Sequence, residues 1–131
     1  MSIPLAQLVE YLDAQLHCAD FAEDRALNGL QVEGQATVRR VAFAVDACLA
    51  SFRAAAEAGA QLLVVHHGLF WGEVVPATGV HKRRLEVLIT NGVSLYAAHL
   101  PLDAHEELGN NVKLAQAVGV QIEGPLSGRG W

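Results

Sequence analysis

Leu62-Leu63-Val64-Val65-His66-His67-Gly68 is the stretch on which the fold turns. A short apolar run closed by polar residues and a glycine reads as a buried strand. In α/β proteins, ligands gather beyond the carboxyl ends of such strands. A second apolar run, Val93 to Ala98, ends in His99-Leu100-Pro101-Leu102-Asp103-Ala104-His105. Two neighbouring strands would then deliver imidazoles and a carboxylate to one rim, a combination that suits a divalent metal.

Outward from these runs the pattern repeats. Val41 to Val45 is a third strand-like segment. An Ala-rich helical stretch over about 48–58, stopped by Gly59, separates it from the run at Leu62. His81 to Thr90 reads as a helix with Leu85, Leu88 and Ile89 inward and Asn91-Gly92 as its end. The order β-α-β-α-β predicts an α/β fold: a parallel or mixed sheet of about three to five strands flanked by helices.

Before this core, residues 3–17 read as an amphipathic helix, with Leu5, Leu8, Val9, Leu12 and Leu16 on one face. Ser2 is placed to cap it and Pro4 falls in its first turn. The segment from Cys18 to Gln35 is less regular, with turn signals at Asn28-Gly29 and Gly34. After the core come a helix over about 110–118, Gly119, and a strand expected at Val120 to Ile122. Residues 1–123 thus form one α/β unit. Residues 124–131, ending on Trp131, are a loop-like tail or the start of a further portion of a longer protein.

Composition bounds the function. The 131 residues suffice for a single domain, and 52% of them are apolar, which argues against disorder. A net charge of −5 disfavours non-specific nucleic-acid binding, which relies on Lys and Arg at phosphates. No run approaches the ~20 apolar residues of a membrane span. Met1-Ser2-Ile3-Pro4 lacks the basic and apolar segments of a secretory signal. Cys18 and Cys48 form no metal-type spacing and fit small core positions in a reducing compartment. A cytoplasmic location follows as an expectation. The chain carries neither a GxxxxGK[ST] phosphate loop nor a GxSxG elbow, so nucleotide-driven motor and serine-hydrolase chemistry lose weight.

At the rim, successive strand side chains point to opposite faces. His66 and His67 can share one ion only if the strand has already broken, for which Gly68 provides a turn; otherwise each serves a different ion of a close pair. Asp103 can bridge two ions through its two oxygens. His66, His67 and Asp103 are therefore the candidate metal ligands. His99 is a candidate catalytic residue, with a supporting or packing role as the alternative. His105 reads as a turn residue, and His17 and His81 as surface or helix-terminal histidines. Asp46 could face the rim, but a helix N-cap for the stretch after it is the favoured reading. Asn28 to Val32 could line a pocket or be a plain turn. Lys82-Arg83-Arg84 could hold a phosphate or form a solvated helix face. Phe70 and Trp71 could wall a pocket or simply be buried.

Asn28-Gly-Leu-Gln-Val-Glu-Gly34, Val64-Val-His-His-Gly-Leu-Phe-Trp71 and the run from His99 to Asn111 together resemble the Nif-three-like family. Bacterial members of the YbgI type are commonly labelled GTP cyclohydrolase 1 type 2 homologues. The likeness runs from about residue 20 to 120. It implies one lobe of a two-lobed α/β fold, a dinuclear divalent-metal site (Zn, Mn, Fe, Co or Ni) and a ring-shaped homohexamer. Residue by residue, it carries the paired histidine ligands onto His66 and His67 and the first carboxylate ligand onto Asp103. Family members are close to twice as long, and their second half supplies a further His and Glu in a His-x-x-x-Glu pattern. This chain therefore corresponds to the N-terminal lobe, with an exposed seam that favours self-association.

The resulting expectation is a metal-dependent hydrolase, or the metal-holding half of one, acting on a cyclic amide such as a purine nucleotide ring. A non-catalytic metal-binding scaffold or regulatory partner is the alternative. A metal-free nucleotide-binding α/β domain is a third reading.

Overall fold

The computed structural model describes residues 2–124. In chain order the elements are β1 (Ile3–Pro4), α1 (Leu5–Gln15), a 3-10 turn at Cys18–Phe21, β2 (Gly29–Val32), β3 (Thr37–Val38), β4 (Val41–Asp46) and α2 (Leu49–Glu57). There follow β5 (Leu62–His67), α3 (Gly79–Asn91), β6 (Ser94–Ala97), α4 (Leu100–Asp103) and α5 (Asn110–Val118). The main sheet has the order β2-β6-β5-β4. β4, β5 and β6 are parallel, and β2 joins β6 antiparallel. The expected mixed α/β architecture is what the chain adopts.

Period-two alternation sorts the two faces of this sheet. Leu63 and Val65 of β5 and Leu95 and Ala97 of β6 pack with Phe52 and Ala55 of α2 and Leu88 of α3. Leu62, Val64 and Tyr96 turn the other way, onto Leu5, Leu8, Val9 and Leu12 of α1. Phe52 and Leu88 are fully buried, each contributing about 1.5–3 kcal/mol of transfer free energy. On the α1 side the Tyr96 hydroxyl donates to Asp13 Oδ1 at 2.8 Å and lies 3.3 Å from Cys18 Sγ. Burial is the main cause that pushes the Tyr96 phenol far above its usual range. At the open edge, Phe43 and Val45 of β4 are 77% and 62% exposed. Among the described residues, no helix is long and apolar enough to cross a membrane.

Several local expectations require correction. α1 starts at Leu5 and not at residue 3, because Ile3 and Pro4 pair antiparallel with β3; Pro4, not Ser2, occupies the cap position. In the segment from Cys18 to Gln35, Gly29 to Val32 is a strand with a bulge between Leu30 and Val32. Ile89 does not face inward: it is 63% exposed. Leu88 sits at the centre of the buried face of α3, and the next residue is turned roughly 100° away from it. No strand forms at Val120 to Ile122. The Val120 amide instead bonds to Ala115 O at 3.0 Å, closing the end of α5 around Gly119, whose φ of 73° suits a glycine. The tail noted in the sequence lies, from residue 125 on, outside the described residues.

Candidate metal centre

β5 runs without a break to His67, which pairs with Asp46 at the end of β4. Its pairing with β6 ends earlier, at Val65 and Ala97. Beyond that point the Ala98 N–H still bonds to Val65 O at 3.0 Å, and Ala98 O faces the His66 ring. The His66 and His67 rings lie 4.5 Å apart between centroids even though the strand has not ended. Gly68 contributes by close approach and not through a turn. A Cβ there would stand 2.7 Å from Ala97 Cβ and would overlap the Gln31 amide, which accepts the Leu69 N–H at 2.7 Å.

His99, the cap residue of α4, completes a cluster with ring centroids 5.1 Å from His66 and 5.8 Å from His67. His66, His67 and His99 each offer one ring nitrogen within 4.8 Å of the others, and all three are half-buried. Each Nδ1 already has a partner. His66 Nδ1 donates to Ala98 O at 3.0 Å, His67 Nδ1 to Asp46 Oδ1 at 2.7 Å, and His99 Nδ1 to Asp24 Oδ2 at 3.1 Å. Carbonyl and carboxylate oxygens only accept, so each Nδ1 carries the proton and each Nε2 keeps its lone pair. Borderline divalent ions take imidazole nitrogen in this form, and such supporting bonds are the usual way a protein orients it. The residues present therefore fit a metal ion.

Asp103 adjoins the cluster through His66: its Oδ2 is 3.5 Å from His66 Nε2, and Asn110 Nδ2 donates to its Oδ1 at 2.8 Å. Trp71 walls the site, packing edge-on to His99 at 5.0 Å and 6.1 Å from His67, with its indole N–H held by Gly68 O at 3.0 Å. Phe70 packs partly against the core and edge-on to His81.

One carboxylate of the site, Asp24, escapes the sequence reading, and another, Asp46, takes the rim place that is the less favoured of its two readings. Asp46 is not the cap of α2. That position belongs to Cys48, and Asp46 points across the sheet to His67. Asp24, in a stretch without a recognisable motif, accepts from Ala26 N, Asn28 Nδ2, Leu100 N and His99 Nδ1. Burial raises its pKa, but these hydrogen bonds outweigh burial and hold the carboxyl below its usual range. Asn28 and Leu30 line an open pocket beside α1, as one of the two readings of this stretch expects, and Asn28 also reaches the site. Its Oδ1 accepts the His99 N–H at 2.7 Å. His105 has the turn role expected of it, with Nδ1 accepting from the amides of Glu107 and Leu108 at 3.1 Å. His17 is an exposed cap of the 3-10 turn, and Lys82 and Arg83 lie exposed on α3.

Comparison with known proteins follows the same lines. The family described as Duf34/NIF3 (NGG1p interacting factor 3) matches residues 3–129. A protein named GTP cyclohydrolase 1 type 2 homolog from Treponema pallidum is 53% identical over 122 residues, which is 92% of this chain and 43% of that protein. The crystal structure of TTHA1606 from Thermus thermophilus superposes with a TM-score of 0.93 at 56% identity, covering 95% of this chain and 52% of the other. The structure of protein ybgI, described as of unknown function, gives 0.90 at 40% identity, covering 95% and 51%. This chain spans about half the length of the relatives it matches.

Proposed function

The chain belongs to the Duf34/NIF3 family, and on that premise we propose that it is a divalent-metal-binding protein, the metal-holding half of a dinuclear metal-dependent hydrolase. The observation that carries this reading is the group of three half-buried imidazoles, each with Nδ1 tied to an acceptor. His66, His67 and Asp103 are the assigned ligands, and His99 belongs to the same site. When bound, a divalent ion would polarise a carbonyl oxygen and acidify water. The protein's own part is to orient the imidazoles through Ala98, Asp46 and Asp24, to fix Asp103 through Asn110, and to shield one side with Trp71. By likeness to relatives named as GTP cyclohydrolase homologues, the substrate class is a cyclic amide such as a purine nucleotide ring. Zn, Mn, Fe, Co and Ni all suit imidazole with carboxylate.

Elemental analysis and calorimetry of the purified protein test the metal. His66→Ala and Asp103→Ala should abolish or strongly weaken uptake of divalent ions. Uptake equal to that of the parent in both variants would refute the assignment. Hydrolysis of GTP and related cyclic amides with added Zn²⁺, Mn²⁺ or Fe²⁺ tests the reaction.

A second reading, a non-catalytic metal-binding scaffold, is favoured by the exposed apolar edge of β4. Metal uptake without turnover, together with self-association or retention of a protein partner, would support it. The same edge supports a homo-oligomer. The two free, half-buried thiols fit a reducing, cytoplasmic setting.

A further inference from the structure

The chain between Trp71 and His81 leaves the body beside the site and returns to the same place. At its start, Trp71 packs edge-on to His99, with its indole N–H held by Gly68 O. At its end, His81 lies edge-on to Phe70, 5.6 Å away between ring centroids. A surface loop whose ends stand together in this way is an Ω-type loop, a form that often carries function. Residues 72–80 are all exposed, and Val74 is wholly so. Glycines bracket the stretch: Gly72 has φ 74° and Gly79 has φ 52°. Both lie in the left-handed region, and glycine can leave or enter it at little steric cost. A Cβ at Gly79 would meet nothing within 4 Å, so this glycine answers to the backbone and not to packing.

Little ties residues 73–78 down. Among the described residues, two bonds join them to the rest of the protein. One is the ion pair of Glu73 Oε1 with Arg25 Nη2 at 3.1 Å, and the other is Lys82 N–H to Thr78 O at 3.1 Å. Both side chains of the ion pair are exposed, and such a pair is worth little in water. The second bond belongs to the first turn of α3, where helices fray. Two residues past Arg25 stands Leu27, 54% exposed, its N–H bonded to Phe70 O at 3.0 Å. The segment that pins the foot of the loop therefore also offers an apolar side chain beside the site, between Asp24 and Asn28, which both bond to His99. Exposed valines and an exposed leucine are apolar surfaces that water drives together.

We propose that residues 73–78 are a lid, hinged at Gly72 and Gly79, which swings until Val74 and Val75 rest on Leu27 and cover the rim beside Trp71. The movement stands on the loop, its hinges and its landing residue. What it encloses, a bound ion and its ligand, rests on the metal reading above. Closure of this kind excludes water and holds what is bound, and it runs on the μs–ms timescale.

The test uses the full chain, first without metal, and relaxation-dispersion NMR of the Val74, Val75 and Leu27 methyls and the Trp71 indole. All four should report one common μs–ms exchange process. Leu27→Ser should abolish it at Val74 and Val75, and Val75→Thr should abolish it at Val74. Both substituted positions are exposed, so the fold should tolerate either change. Flat profiles at the parent's valines, or exchange that persists in both variants, would overturn the lid. Co²⁺ is then the probe for what is enclosed. Leu27→Ser should release bound Co²⁺ to excess EDTA several-fold faster than the parent, and equal rates would overturn the covering role. A parent that takes up no Co²⁺ is a failure of the metal reading, and the methyl measurements then still decide whether the loop closes on Leu27.

Discussion

Asp46 and His67 are register partners across the parallel β4–β5 pair, and their side chains meet at the strand ends, Oδ1 to Nδ1, at 2.7 Å. A carboxylate behind an imidazole fixes its tautomer and raises its basicity, and losing one typically weakens metal binding 10- to 100-fold. Asp46→Ala should therefore lower Co²⁺ or Zn²⁺ affinity by about 10-fold, read by calorimetry. The pair is exposed, so thermal stability should change by less than ~1 kcal/mol. A large fall in melting temperature with unchanged affinity would contradict this role.

Gly68→Ala should destabilise the fold. The new methyl would press on Ala97 Cβ at 2.7 Å and on the Gln31 amide, which must then give up the Leu69 N–H. Overpacking of this kind costs about 1–3 kcal/mol. Denaturant unfolding would show the midpoint moving down with little change in slope.

Acid should release the grip on His99. Asp24 binds a proton less readily when folded, because its hydrogen bonds outweigh the effect of burial. A depressed carboxylate pKa contributes stability that is complete above the unfolded value of ~3.9 and is lost as the pH falls through the lower folded value. Compared with the parent, Asp24→Asn should show a shallower loss of stability below about pH 4. Equal slopes would show that Asp24 does not contribute to acid unfolding.

Tyr96→Phe should cost about 1–3 kcal/mol. It removes the hydroxyl that donates to Asp13 and contacts Cys18 on the α1 face of the sheet, while keeping the ring that fills the core. Thermal unfolding measures the loss, and metal affinity should stay within a factor of about two, since the hydroxyl lies on the opposite side of β6 from Ala97.

Phe43→Ser with Val45→Thr should reduce self-association. These residues leave a large apolar surface on the open edge strand, which tends to be covered by a partner. Sedimentation over a range of concentrations would give a smaller mean mass for the double variant than for the parent.

The core was legible in the sequence because three of its strands are short apolar runs with helical periodicity between them. That arrangement left β4, β5 and β6 little choice but to lie parallel. Gly29 to Val32 was harder to read: it opens on a glycine and is interrupted by a bulge, so no clean alternation marks it. Ile89 was misplaced because one residue of rotation separates a core position from a surface one. Asp46 reads more readily as a cap than as a rim residue because aspartate before a helix usually is one. α2 begins later than that reading required, which frees Asp46 for His67. Asp24 gave no local signal at all, since its meaning lies in a partner far along the chain.

That separation has a consequence for when the centre comes into being. Asp24 and His99 stand 75 positions apart and meet only once β2 has laid itself along β6. Contacts of such range form late, after the strands that carry them have paired. A polypeptide still emerging from the ribosome would display His66 and His67 well before Ala98, His99 and Asp103 are available. On the proposed metal reading, ion capture would therefore belong to the finished fold, and a nascent fragment stalled soon after Gly68 would hold cations only loosely.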